Sequence, residues 1–233
     1  MRHSPSRQHP EHVLRLATYN IHKGVRGVGP QRRLEIHNLG VAIEALDADL
    51  VFLQEVRNGN RAEARRFNRS SFGWPSEGQA DFLAPEGYGV AYRTNAVTRD
   101  GEHGNALLSQ GLTVHAVVVH FGLMHAGRVR QVQRLADFIQ ATVPRGELLL
   151  VAGDFNDWGE KLDGPIRDFG LSRAVPESRP SQRLCTFPSR IPIFTMDRIY
   201  TRGWRCLAAT VPRGLSWARM SDHLPLLAEL APG

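Results

Sequence analysis

Cysteine is nearly missing from this chain. Cys185 and Cys206 are the two in 233 residues, too few for a disulfide framework, so a stapled secreted scaffold is excluded and a reducing compartment is favoured. Lysine is scarce as well. Lys23 and Lys161 are the two among 29 basic residues, so the positive charge is almost entirely arginine. No apolar run approaches the ~20 residues that span a bilayer. Residues 1–12 lack the apolar core of a signal peptide and read as a disordered polar tail. The expectation is a cytoplasmic chain with no transmembrane segment and no obligate protein partner in evidence. There is no G-x-x-x-x-G-K-[ST], no G-x-G-x-x-G and no G-x-S-x-G, which leaves P-loop, Rossmann and α/β-hydrolase chemistry without support. No His-x-x-x-His pair occurs and no cysteine flanks the polar clusters below, against zinc of the structural or metalloprotease kind.

What is present is ample core material: 42% of residues are apolar, and the length fits one large domain, expected over 13–231. The formal charge is +6 and the pI about 10.0. An arginine-biased surface suits phosphate groups on nucleic acid, lipid or nucleotide, but the plainer reading is coding bias with a solvated face, and charge alone does not choose the partner.

The chain is organised around Val151-Ala152-Gly153-Asp154-Phe155-Asn156-Asp157, where the buried run from Leu148 gives way to polar groups. Asp154 and Asn156 lie two apart, so they point the same way while the backbone stays extended. A carboxylate beside an amide suits a hydrated divalent cation, a phosphate or an attacking water; the alternative is an Asx-turn at a strand end. The same event recurs elsewhere. Apolar strands end at Asn20 and His22, at Glu55, and at His120, while Asp197 opens a short strand and Asp222-His223 precedes the last one. Each group alone has an ordinary reading, as a turn cap, a surface carboxylate or a core histidine. Together they make a set of oxygen ligands and histidines, which favours a hard cation, Mg²⁺ or Mn²⁺.

Between these strands, Ile36, Leu39, Ile43 and Leu46 fall at helical spacing, as do Val129, Val132, Leu135 and Ile139. Residues 60–70 read as one basic helix, 71–104 as loop with a short strand near Tyr88 to Tyr92, and 158–195 as loop with one helix near 160–168. Strands outnumber helices, which predicts two packed sheets with helices outside.

In order along the chain stand Asn20, Leu53-Gln54-Glu55-Val56, Gly104-Asn105-Ala106-Leu107-Leu108-Ser109, Gly153-Asp154-Phe155-Asn156, Asp197-Arg198-Ile199 and Ser221-Asp222-His223-Leu224-Pro225. This succession resembles the motifs of the endonuclease/exonuclease/phosphatase superfamily, which has the DNase I-like fold. Asn20-Ile21-His22-Lys23-Gly24 and Thr186-Phe187-Pro188 look closest to an uncharacterised bacterial branch. The resemblance implies an α+β, four-layer α/β sandwich of two packed, mostly antiparallel sheets flanked by helices. It implies Mg²⁺-dependent hydrolysis of a phosphoester by in-line water attack. Carried over, Glu55 is the main metal ligand, with Asn20 and Asp222 nearby. Asp154 orients or deprotonates the attacking water, and Asn156 holds it or a phosphate oxygen. His223, oriented by Asp197, donates to the phosphate, and His120 makes a second such contact. His22 and Asn105 fall to phosphate binding.

Two features depart from that pattern. Some nucleases of the superfamily carry a carboxylate where His22 stands, and an imidazole suits a phosphate contact better than Mg²⁺. Relatives also run a longer stretch, with further strands, between the Gly-Asn-Ala-Leu-Leu-Ser strand and the one ending at His120; here Gln110-Gly111-Leu112-Thr113 suffices. Such a link can join antiparallel neighbours, whereas a missing strand exposes sheet edge. The expected substrate is a phosphate ester: a lipid headgroup, a nucleic acid or a small phosphoester. A DNA endonuclease or exonuclease is the alternative, with Arg57 to Arg69 and Arg179 to Arg190 as candidate DNA-facing loops that hold few aromatics. A non-catalytic phosphate-binding protein is the third reading.

Overall fold

The computed structural model describes residues 13–233, so the tail expected over 1–12 lies outside the described residues. The first alternating run forms β1 (Leu14–Asn20). A tight turn leads to two short paired strands, β2 (Val25–Arg26) and β3 (Arg33–Leu34). Helix α1 (Ile36–Leu46) buries Ile36, Leu39, Ala42, Ile43 and Leu46, the stripe its periodicity dictates. Strand β4 (Leu50–Asn60) follows. The basic run is two helices, not one: α2 (Arg61–Arg66) and α3 (Arg69–Phe72). Asn60 accepts from Glu63 N–H at 2.9 Å and Asn68 from Ser71 N–H at 2.8 Å, so each asparagine caps a new start.

Helix α4 (Gln79–Leu83) and a long hairpin, β5 (Gly89–Thr98) and β6 (Gly101–Ser109), fill the stretch expected to be mostly loop. After them come β7 (His115–His120), α5 (His125–Thr142), β8 (Leu149–Asp154), α6 (Asp163–Arg167) and β9 (Ser172–Arg173). The chain closes with β10 (Asp197–Arg202), β11 (Trp204–Thr210), α7 (Leu215–Met220) and β12 (Leu226–Pro232).

Six strands form one sheet in the order β11-β12-β1-β4-β6-β5, and four form a second in the order β7-β8-β10-β9. Only β1 with β4 and β7 with β8 run parallel; the other pairings within these two sheets are antiparallel. Three apolar layers hold the arrangement. Leu16, Phe52, Leu150, Ala152 and Ile199 pack between the sheets. Leu39, Ile43, Val51 and Leu53 pack α1 on the outside of the larger sheet. Val132, Leu135, Val151, Phe155 and Tyr200 pack α5 on the outside of the smaller one. The result is the α+β four-layer sandwich of DNase I-like proteins.

This topology puts the polar strand ends at one rim. β1 and β4 are parallel neighbours, with Asn20 opposite Gln54, so Glu55 follows directly beside Asn20. β7 and β8 are parallel, with His120 opposite Asp154. β10 begins where β8 ends, with Asp197 opposite Asp154. Gly153 is required at that junction. Its φ is 151°, and a Cβ there would sit 1.8 Å from the Val119 carbonyl oxygen. The short link after Ser109 does not join neighbours in one sheet. It crosses from β6 to β7, leaving β5 at the edge of the larger sheet and β7 at the edge of the smaller.

Candidate active site

Nine of the ten side chains singled out in the sequence line one cavity of about 1010 Å³: Asn20, His22, Glu55, Asn105, His120, Asp154, Asn156, Asp222 and His223. The tenth, Asp197, is fully buried behind His223.

Asp154 is the meeting point. Its Oδ2 accepts from Asn20 Nδ2 at 3.2 Å, and the Nε2 atoms of His120 and His223 each lie 3.7 Å from it. Its Oδ1 accepts from Asn156 N–H at 2.9 Å, the local turn expected of an Asx strand end. Burial pushes the Asp154 carboxyl above the ordinary carboxylate range, and the neighbouring Asp197 adds to that, more than the two imidazoles take back.

His223 behaves in the opposite way. Burial alone would lower its pKa, but Asp197, with Asp154 and Asp222 behind it, lifts it to about 10. Its Nδ1 donates to Asp197 Oδ2 at 2.7 Å, which fixes the tautomer and leaves Nε2 facing the cavity. Thr186 Oγ1 donates to the same carboxylate oxygen at 2.5 Å. The Phe187 ring covers the imidazole, with centroids 4.8 Å apart.

On the other side, Asn20 Nδ2 also donates to Glu55 Oε1 at 3.4 Å, so one amide bridges two carboxylates. Its Oδ1 is taken by His22 N–H at 3.0 Å. Burial pushes Glu55 up, yet Lys23, with Nζ 3.0 Å from Oε2, and the imidazoles of His120 and His22 outweigh it, so its carboxyl lies below the ordinary range. Burial likewise works against ionised Asp222, but His22, with Nδ1 3.2 Å from Oδ1, draws that carboxyl down to about 2.

The sequence profile of the Endonuclease/Exonuclease/phosphatase family matches residues 17–223. The chain belongs to that family. Its members are phosphoric ester hydrolases, so the chain is placed among enzymes of that class. The uncharacterized protein YbhP of Escherichia coli (strain K12) is 32% identical over 252 positions, covering 93% of this chain and 96% of YbhP. That alignment is longer than the 233 residues here, so YbhP carries residues that this chain lacks. An endonuclease/exonuclease/phosphatase from Beutenbergia cavernae superposes with a TM-score of 0.67 at 17% identity, over 96% of this chain and 72% of that one. A mannosyl-6-phosphatase from Bacteroides thetaiotaomicron gives 0.64 at 15% identity, over 94% and 99%. Both show the shared fold.

The family generally uses divalent metals, and the residues here fit one. The Glu55 Oε2 atom is enclosed, takes no aligned hydrogen bond, and has a cation, Lys23, as its partner. A carboxylate oxygen is the ligand type a hard cation takes, and Asp222 offers a second one on the same cavity. Asp154, Asp197 and His223 also cluster closely enough to ligate an ion. Within that trio His223 Nδ1 is already bonded to Asp197.

Sequence reasoning missed three supporting groups. Lys23 sits inside a quoted motif but carries no signal of its own for Glu55. Thr186 reaches Asp197 across 11 residues. Ser221 Oγ donates to the Asn20 carbonyl at 2.6 Å, tying the segment before β12 to the end of β1.

Proposed function

We propose that this protein is a Mg²⁺- or Mn²⁺-dependent phosphodiesterase that acts by in-line attack of water on phosphorus. One observation carries the reading: Asn20, His120 and His223, from three separate segments, converge on a single oxygen of a buried carboxylate, Asp154. Glu55 would hold the cation, with Asp222 and Asn20 at its margin. The cation, when bound, supplies neutralisation of phosphate oxygens and a lower pKa for water.

The chain's own groups divide the rest of the work. Asp154 has a pKa lifted toward neutrality, which suits a base that takes a proton from water. Asn156 Nδ2 is spent on the Phe121 carbonyl at 2.8 Å, so its oxygen is the atom left to accept from the attacking water. His223 is an imidazolium at neutral pH and donates from Nε2 to a phosphate oxygen as charge develops. His120 supports the same oxygen or its neighbour, and His22 and Asn105 contact the phosphate further out. In this division Asp197 is a positioning residue, acting through His223.

A DNA substrate has less support. Within the two candidate loops Arg57 is paired with Glu63 and Arg183 with Glu160. The reading is tested by turnover of bis(p-nitrophenyl) phosphate, plasmid DNA, phospholipid and inositol phosphates with Mg²⁺ and with EDTA. Metal-dependent release from at least one, reduced roughly 10²–10³-fold in Asp154→Asn, is expected. Equal turnover in EDTA, or in the variant, would sink it.

A further inference from the structure

The cavity extends beyond the catalytic groups toward the sheet edges formed by β5 and β7. There its walls come from β5 and β6 of the larger sheet and from β7 and α5 of the smaller one's side. Two arginines line this extension, Arg93 on β5 and Arg134 on α5. No other described side chain pairs with either; the acidic groups of the cavity are engaged by Lys23, His22 and His223. Arg93 is the cross-strand partner of Asn105, so the two side chains share the cavity face. Asn105 is only 8% exposed, and its Oδ1 has no hydrogen-bond partner among the described residues. A buried amide oxygen left without a donor is costly unless something else supplies one.

Resting on the phosphodiesterase reading, we infer that Arg93 and Arg134 form a second anion subsite, with Asn105 accepting from a hydroxyl or water between it and the scissile phosphate. The substrate then carries a second phosphate beside the one that is cleaved. Guanidinium forks match phosphate oxygens in charge and geometry, and two of them that pair with no described carboxylate line the same cavity. The second phosphate belongs either to a nucleic-acid strand or to a multiply phosphorylated small molecule.

Thymidine 5′-(p-nitrophenyl phosphate) and its 3′-phosphorylated form differ only in a second phosphate. The wild-type chain should prefer the 3′-phosphorylated ester by about tenfold or more in kcat/KM, mostly through KM, as a charge-assisted contact implies. Arg93→Gln with Arg134→Gln should bring the ratio close to one. Both arginines are exposed, so folding is not at stake, and thermal melting checks this. Calorimetric binding of thymidine 3′,5′-bisphosphate against thymidine 5′-phosphate reads the subsite without turnover. Absence of preference in the wild type, or its survival in the double variant, overturns the subsite while leaving the phosphodiesterase reading intact. Failure of both esters to turn over, with bisphosphate still bound more tightly, overturns only the catalytic reading. Competition by a single-stranded oligonucleotide or by an inositol bisphosphate then separates the two sources, and competition by neither counts against the subsite.

Discussion

Four non-glycine residues of the cavity region, His22, Lys23, Glu55 and Asn156, hold left-handed backbone, with φ of 47°, 62°, 56° and 49°. Such conformations are sparsely populated outside glycine and persist only where surroundings impose them. At Glu55 the cause is visible: β4 shifts register against β6 between Leu53 and Val56, and the irregularity turns the carboxylate to the rim. A second residue-scale property is the opposed protonation of neighbours. His223 is held charged and Asp154 is pushed toward its neutral form by the same buried pocket. The raised His223 pKa has a sign that stability measurements can check. In the unfolded chain the imidazole titrates near 6.5, and in the folded chain near 10. The folded state therefore binds the extra proton, so this pair's contribution is complete below about pH 6.5 and is lost as pH rises toward 10. In EDTA, the melting temperature of wild type should exceed that of His223→Gln most at low pH within the folded range. The gap should narrow steadily between pH 6.5 and 10. A gap that widens with pH would contradict the assignment of His223 as a cation.

At the scale of elements, β8, β10 and α6 are locked together beneath the site by Arg198, which is fully buried. Its Nη1 lies 3.0 Å from Asp157 Oδ2 and 3.1 Å from Asp163 Oδ1, and its Nη2 donates to the Asp157 carbonyl at 2.9 Å. Removing one member of a buried ion pair strands the other, so Arg198→Met should cost about 3–5 kcal/mol. Urea unfolding would register this as a lower midpoint, and an unchanged midpoint would refute it.

The same elements show what was legible beforehand. β1 and β8 are buried apolar runs ending in polar residues, and these ends line the candidate cavity together with the end of β7, of which only Val119 is buried, and with Glu55 midway along β4, which runs on to Asn60. Of β5 the sequence predicts only a short piece near Tyr88 to Tyr92, because an edge strand has one face in solvent and Arg93, Thr94 and Asn95 interrupt the pattern. The break between α2 and α3 lay in Asn68, a cap that a basic run conceals. α5 matched its expected stripe at Val132, Leu135 and Ile139, but Val129 is 46% exposed, and its neighbour Arg128 is buried instead, its guanidinium donating to the Gly122 and Leu123 carbonyls. The links from Lys23 to Glu55 and from Thr186 to Asp197 depend on tertiary approach and leave no local trace.

For the whole molecule, the central matter is how separate lengths of chain act as one device. Asn20 and Asp154 are 134 positions apart, and His223 meets Asp197 across 26. The sandwich brings them together through two parallel pairings and one antiparallel register, with Ser221 fastening the last segment to the first. No helix among the described residues is long and apolar enough to cross a membrane. Of the 29 basic residues some are paired in place, as at Glu63 and Glu160, while Arg93 and Arg134 pair with no described side chain. If Asp154 and His223 serve a single transition state, their removals should not add. The decisive measurement is a double-mutant cycle in kcat for Mg²⁺-dependent phosphodiester hydrolysis, comparing Asp154→Asn, His223→Gln and the two combined. Each single change should lower the rate roughly 10²–10³-fold, and the pair together little more than the worse of them. Losses that multiply, or either single variant retaining full rate, would contradict the convergence of these groups on one reaction.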